Sequence, residues 1–524
     1  MTVDTQRFDV VIVGGGHNAL VAAAYLGRAG LDTVVLERLP QTGGAAVSTR
    51  PFPGIEAQLS RYSYLVSLLP DQIVRDLGLR LDLRSRRTAS YTPVRRNGRD
   101  GGLLVERPEG SATRDSFRDL TGSQREYDTW RQFFGAVGEL ATVVAPTLLE
   151  PLPRTADLAK RCGPIWGDVV ERPIGEVVES RFADDTVRGV VLTDALIGTF
   201  ATAHDTSLLQ NRCFLYHLIG NGSGEWRVPV GGMGAVTDAL AVAARAAGAD
   251  LRTAATVTSI ETDGRTAEVA YHDGVRDHTV AADWVLSGVA PAVLAELVGR
   301  APAGRPEGAQ LKINLLVDRL PRLRSGADPE VAFAGTFHVG EDYPDLQRAY
   351  DEASAGDLPT RPPGELYCHS LTDPSILGAD LAASGAHTMT YFGLHMPARL
   401  FADDDGGRKD EAVRRSIALV DTYLDEPLGD RLLRDEHGAP CIEAKTPQDV
   451  EAALGMPGGH IFHGDLAWPW VDDPGLLDSP TAAWGVATDD PNVLLCGSGA
   501  QRGGAVSGLG GHHAAHALLH TLRS

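Results

Sequence analysis

Cysteine is scarce in this chain. Its five copies among 524 residues (Cys162, Cys213, Cys368, Cys441 and Cys496) are scattered, and no two form a C-x-x-C pair. That argues against cysteine-based metal clusters and a thioredoxin-like dithiol, and it fits free thiols in a reducing cytoplasm. No run of about 18 apolar residues is present, which argues against a transmembrane helix. The start of the chain carries Asp4, Arg7 and Asp9 and then reaches Gly14, leaving no room for the apolar stretch of a signal peptide. Basic residues are the minority, Lys+Arg 48 against Asp+Glu 69, for a formal charge of −21. So acidic a chain is poorly suited to phosphate backbones or to simple docking on an anionic membrane. Internal repeats and low-complexity tails are missing too. The expectation is a cytoplasmic protein with no nucleic-acid partner and no transmembrane segment.

What is present is ordinary globular material: 43% hydrophobic and 22% charged residues. The length suggests two to four domains, with room for a core around a sizeable ligand. The first forty residues are the most informative. Residues 8–13 (FDVVIV) read as a short buried strand, residues 20–29 as an alanine-rich helix ended by Gly30, and residues 32–36 (DTVVL) as a second strand ending at Glu37. Between the first strand and the helix stands Gly14-Gly15-Gly16-His17-Asn18-Ala19, a G-x-G-x-x-A turn. Gly14 permits the tight turn, Gly16 lets the backbone approach a pyrophosphate at the helix N-terminus, and Ala19 allows close helix–strand packing. Glu37 is placed to accept the ribose hydroxyls. With strand, helix and acid in register, the motif predicts a dinucleotide site.

Whether that dinucleotide is FAD or NAD turns on two further glycine clusters. Gly43-Gly44-Ala45 is either a loop with two turn glycines or the second glycine pair that lies against FAD in flavoproteins of this type. Near the other end of the chain, residues 493–496 (VLLC) read as a strand, and seven glycines fall between Gly497 and Gly511. A glycine-rich start of a helix presents free N–H groups, which suit the negative charge of a reduced flavin. No second G-x-G-x-x-G comes after a strand, so a dedicated NAD(P)H domain is not supported. Paired redox cysteines are lacking as well, which disfavours a disulfide reductase.

These residues resemble the phytoene desaturase-like FAD-dependent oxidoreductases, and within them the branch of pyridine nucleotide-disulfide oxidoreductase domain-containing protein 2. The match rests on residues 14–26 (GGGHNALVAAAYL), Leu36-Glu37-Arg38 and Gly43-Gly44-Ala45. It continues through residues 226–234 (WRVPVGGMG), 285–291 (VLSGVAP) and 459–466 (GHIFHGDL), and ends in the C-terminal glycine motif. The resemblance implies an α/β fold, a Rossmann-type two-dinucleotide-binding-domain flavoprotein with a mixed-sheet substrate domain and a helical insertion. It implies FAD as cofactor, held by the two N-terminal glycine segments with His17, Asn18, Glu37 and Arg38. Backbone near Val257 would meet the adenine, and a loop with Gly497, Gly504, Ala505 and Val506 would pass the flavin ring. One departure stands out. Many relatives carry a Thr-His-Pro-like stretch where this chain has Ala500-Gln501-Arg502.

The layout expected is an FAD-binding domain in three parts (1–90, 225–299 and 455–524), a mainly helical substrate or lid region (91–224) and a substrate-domain sheet (300–454). Tyr127, Trp130, Phe133, Phe134, Val137 and Leu140 recur at helical spacing, as a buried helix face or the wall of a substrate tunnel. Residues 256–260 and 267–271 flank an Asp263-Gly264 turn, a hairpin signal. Residues 311–317 alternate as a strand, with 331–337, 365–371 and 388–394 as partners. The 403–405 aspartate run reads as a solvated loop. His512, His513, His516 and His520 have some metal-like spacing, but no carboxylate joins them, so no metal is expected.

Flavin chemistry needs a substrate C–H held over the ring and one proton managed. The candidate catalytic side chains are His463, Tyr62 and Arg502, with His217 a weaker one. Arg502 would stabilise the reduced flavin's carbonyl edge. The function expected is dehydrogenation of an organic, partly apolar small molecule, with oxygen or another acceptor taking the electrons. The rival readings are an amine oxidase forming C=N and a flavin-binding scaffold without turnover.

Overall fold

The computed structural model describes residues 6–402 and 406–523; the 403–405 aspartates lie outside them. The first strand, Gln6–Val13, is apolar and buried from Val10 onward because it is central in a seven-stranded sheet. It pairs in parallel with Thr33–Leu36 on one side and with Asp277–Ser287 on the other. The crossover helix His17–Arg28 lies between the first two strands. Asp250–Arg252 extends one edge. The antiparallel hairpin Thr256–Thr262/Ala267–His272 forms the other, turning at Asp263-Gly264. The chain returns to this sheet at its end, where Val493–Leu495 runs parallel to Val285–Ser287.

The last helix, Leu509–Thr521, packs against the first. Its glycines are packing residues. A Cβ on Gly511 would stand 1.8 Å from the Asn18 carbonyl oxygen. Only glycine lets the two helix backbones come so near.

A second seven-stranded sheet is mixed. Its order is Ile442–Lys445, Leu311–Val317, His387–Gly393, Gly364–Tyr367, Thr336–Val339, Thr88–Arg96, Arg99–Glu106. The last two strands fall largely within the stretch expected to be helical. Their Asn97-Gly98 turn, both residues at positive φ, is the Asn-Gly hairpin signal, and it draws 88–106 onto the sheet. Residues 331–337 divide differently from the expected strand. Asp328 caps a short helix, Pro329–Ala332, and the strand begins only at Thr336. The 365–371 strand likewise stops at Tyr367 and passes into a short 3₁₀ turn.

Helices Ser111–Thr121, Arg125–Val144, Thr155–Cys162, Ile174–Arg181, Asp185–Thr193 and Leu209–Leu218 form the helical insertion. One stretch, Arg125–Leu149, is long and apolar enough by length and composition to cross a membrane. Here Tyr127, Trp130, Phe133, Val137 and Leu140 are buried against the protein, while Arg125, Asp128, Arg131 and Glu139 lie outside that buried face. That division is the mark of an amphipathic core helix.

Candidate active site

One cavity of about 860 Å³ runs from the first glycine turn to the face of the second sheet. At its nucleotide end the two N-terminal glycine segments clasp each other, with Gly43 N–H donating to the Gly15 carbonyl at 2.8 Å. Gly14 sits at φ +88, a conformation an L side chain would resist. Gly16 differs: its φ is −68, and a Cβ there would meet nothing within 4 Å, because it would project into the open cradle. Glu37 is buried, with its two carboxylate oxygens accepting Gly15 N–H (2.6 Å) and Leu39 N–H (2.7 Å). Each oxygen keeps a further lone pair for a ribose hydroxyl. Arg38, Gly44, Ala45 and Val257 line the same end, whereas Gly43 does not line the cavity and packs on the Val47 and Thr237 side chains.

The C-terminal loop closes over this cradle. His17 Nε2 donates to the Ala505 carbonyl (3.0 Å), and Asn18 Nδ2 donates to the Gly503 carbonyl (3.1 Å). Gly497, Gly504, Ala505 and Val506 line the cavity, and the N–H groups of the last three have no acceptor among the described residues. Backbone donors without a protein acceptor, in residues that line a cavity whose cradle Gly16 keeps clear, are features that suit a flavin dinucleotide. FAD fits these residues.

Arg502 does not join them. It is 1% exposed and turned away from the cavity, donating to the carbonyls of Thr147 (3.0 Å), Glu150 (2.8 Å) and Trp484 (3.3 Å). The expectation that it tunes the flavin edge is corrected: this guanidinium closes the carbonyl end of the 145–149 turn. A loop's neighbours in sequence can point to opposite sides, and here the backbone of 504–506 faces the cavity while Arg502 faces the core.

Tyr62 and His463 do reach the cavity. His463 has a left-handed backbone (φ +65), and its Nδ1 is buried without a partner among the described residues. Burial, with His17 and His460 nearby, pushes its imidazole down to about 4, so it is neutral at physiological pH. His217 also lines the cavity, but its Nδ1 is held by the Cys213 carbonyl at 2.9 Å.

The far wall comes from register. Across the second sheet Lys445 pairs with Lys312, Lys312 with Phe392, Phe392 with Glu365, and Glu365 with His338. All five line the cavity, because cross-strand partners share a face. Lys312 is 3% exposed; its ammonium donates to the carbonyls of Ser60 (2.8 Å) and Tyr62 (2.6 Å) and lies 4.7 Å from the Tyr64 ring centroid. Burial pulls its pKa well below the usual lysine value.

At the opposite end of the row, His338 Nδ1 is 2.5 Å from Glu341 Oε2, and the Tyr367 hydroxyl donates to Glu365. Asp194 lines the cavity beside them. Burial pushes Glu365 up to about 8 and Asp194 up to about 6. Arg86 is the nearby cation, 5.6 Å from the Tyr367 ring centroid and bonded to Thr336 Oγ1 at 3.3 Å. The cavity wall also has an apolar share, which includes Trp130, Phe134, Val190 and Ile461.

No motif along the chain marks the charged row. Lys312 was visible as the polar member of an alternating strand, but alternation alone leaves the face it points to open. Glu365 and His338 carry no motif, and only strand pairing brings them together.

Comparison with known proteins agrees with this geometry. The family described as flavin containing amine oxidoreductase matches residues 20–368. An uncharacterized protein of Mycobacterium tuberculosis is 49% identical over 100% of this chain and 99% of its own length. Pyridine nucleotide-disulfide oxidoreductase domain-containing protein 2 of Rattus norvegicus is 30% identical over 99% of this chain and 94% of its own. Among solved structures, cyclohexylamine oxidase from Brevibacterium oxydans shares the fold at TM-score 0.55 and 15% identity, covering 99% of this chain and 100% of that one. With a dinucleotide cradle, free backbone donors at its flavin end and a family match over most of its length, this chain belongs to the flavin-containing amine oxidoreductases, as an FAD-dependent enzyme.

Proposed function

We propose that the enzyme dehydrogenates a small, largely apolar molecule lying between the 504–506 loop and the charged row of the second sheet. The observation that supports this most directly is the continuity of the cavity. The dinucleotide cradle opens without a partition onto an apolar wall of Trp130, Phe134, Val190 and Ile461. When bound, FAD supplies the hydride acceptor. The protein's own groups do the rest. The apolar wall excludes water and orients the substrate C–H. The 504–506 N–H groups meet developing negative charge. Lys312 ties the 60–62 loop to the sheet and so holds Tyr62 at the cavity. His463, neutral and with a free Nδ1, offers a hydrogen bond to the substrate rather than a strong base, because burial disfavours its protonated form.

Family membership also favours a second reading, in which the bond oxidised is C–N of an amine, giving C=N. Products separate the two. Anaerobic mixing with candidate substrates should bleach the flavin absorbance. Loss of two hydrogens with the carbon–nitrogen skeleton intact supports desaturation, whereas release of ammonia or a shortened amine with a carbonyl product supports amine oxidation. Flavin that no apolar alkene precursor or amine reduces would count against both.

A further inference from the structure

The acid end of the charged row has no part in the flavin reading, yet it is more elaborate than packing requires. Three carboxylates (Asp194, Glu341 and Glu365) stand close enough to the His338 imidazole to shift its charge or to contact it, and Arg86 is the fixed cation beside them. One atom from each of His338, Glu341 and Glu365 lies within 4.8 Å of the others. Glu341 is 2% exposed, and its Oε1 makes no hydrogen bond of normal length among the described residues, the neighbouring Thr193 hydroxyl likewise standing without a partner. A buried acceptor left open beside two other convergent ligand atoms points to a ligand the protein does not itself supply.

We propose that His338, Glu341 and Glu365 hold a divalent first-row metal ion at the end of the cavity. Ligand atoms about 2.0–2.2 Å from one such ion stand roughly 3–4.4 Å apart, a spacing these groups reach with small side-chain rotations. An imidazole in the set favours Mn²⁺, Fe²⁺ or Zn²⁺ over Ca²⁺ or Mg²⁺. The frame is rigid where it needs to be: His338 and Glu365 are paired across adjacent strands, and Glu341 comes three residues after His338. Tyr367, donating to Glu365, orients that carboxylate. His338 and Glu365 both face the cavity, so the ion would keep a position open on that side. A carboxylate, carbonyl or hydroxyl oxygen of the substrate can complete its coordination and fix the molecule's far end. The C-terminal histidines 512, 513 and 516 offer no comparable set, since no carboxylate converges with them among the described residues.

The test uses the FAD-loaded protein, stripped with a chelator and titrated with Mn²⁺ (loss of the free-ion EPR signal) and with Zn²⁺ by calorimetry. One ion per chain is expected, with at least tenfold weaker uptake in Glu341→Gln and His338→Ala, while the FAD-to-protein ratio stays at wild type. Wild-type protein that takes up neither ion at millimolar concentration overturns the proposal, as does Glu341→Gln with undiminished affinity. Should the variants fail to fold, anomalous diffraction from Mn²⁺-soaked crystals decides: a peak among the three side chains supports the site, and an ion only elsewhere overturns it. FAD content is read separately, so a chain that binds the ion without FAD sinks the flavin reading alone, and the converse sinks only the metal site.

Discussion

The two ends of the cavity are built by different means. The nucleotide end is made of backbone. Its glycines, its free N–H groups at 504–506 and its one carboxylate, Glu37, act through positions at which a side chain would obstruct or a backbone must approach. The sheet end is made of side chains, and each of its five residues comes from a different strand. The first kind of site needs fixed local spacing and tolerates drift elsewhere. The second needs register, and a slip of one residue in any strand would turn its contribution to the other face.

This contrast can be broken most sharply at Gly16. Because φ there is −68 and a Cβ meets nothing, Gly16→Leu should fold normally and lose FAD, by at least about a thousandfold or roughly 4 kcal/mol. Normal melting with a colourless protein is the expected pair of results; retained yellow colour would remove the cradle from the cofactor. Gly511 is the opposite case. Gly511→Ala puts a methyl on the Asn18 carbonyl, and the helices must part, at a cost of about 3 kcal/mol in denaturant unfolding. Cofactor affinity should follow only as far as stability does.

Arg502→Met removes three carbonyl contacts and leaves those oxygens buried. It should destabilise the protein by about 2–3 kcal/mol while leaving the flavin midpoint potential of the folded fraction unchanged. A shifted potential would restore Arg502 to the flavin. Glu37→Ala should weaken FAD by about 2 kcal/mol, somewhat more than it lowers stability, since a charge-assisted ribose contact goes with it. Equal FAD retention at limiting cofactor would argue that Glu37 serves only Gly15 and Leu39.

The smallest effect concerns pH. The folded His463 titrates at about 4 and the unfolded one near 6.5, so between those values the unfolded chain binds the extra proton. His463 therefore contributes a loss of stability as pH falls through that window. His463→Asn, which tolerates the left-handed backbone, should show a shallower acid decline in thermal melting. An unchanged slope would mean that the imidazole is not buried from water as the structure has it.

The nucleotide half was legible from residues 8–37 alone, because strand, glycine turn, helix and acid are contiguous and each has a backbone reason for its place. The return of the chain through Val493–Leu495 was legible for the same reason. The Asn97-Gly98 hairpin was equally local, though the surrounding stretch read as helical. What stayed hidden were choices of side. Gly497 and Gly504 turned out to serve the cavity and Gly511 the helix contact, while Arg502, inside the same motif, faces the core.

The sequence by itself determined the cofactor class and the order of the elements, since a pyrophosphate's approach and a helix's first turn depend on residues a few positions apart. Only the tertiary structure decided the far end of the cavity. Lys445, Lys312, Phe392, Glu365 and His338 are separated by tens of residues and meet through antiparallel register, which depends on how every strand between them packs. No spacing along the chain encodes that row, because what aligns it is the hydrogen-bond ladder between strands.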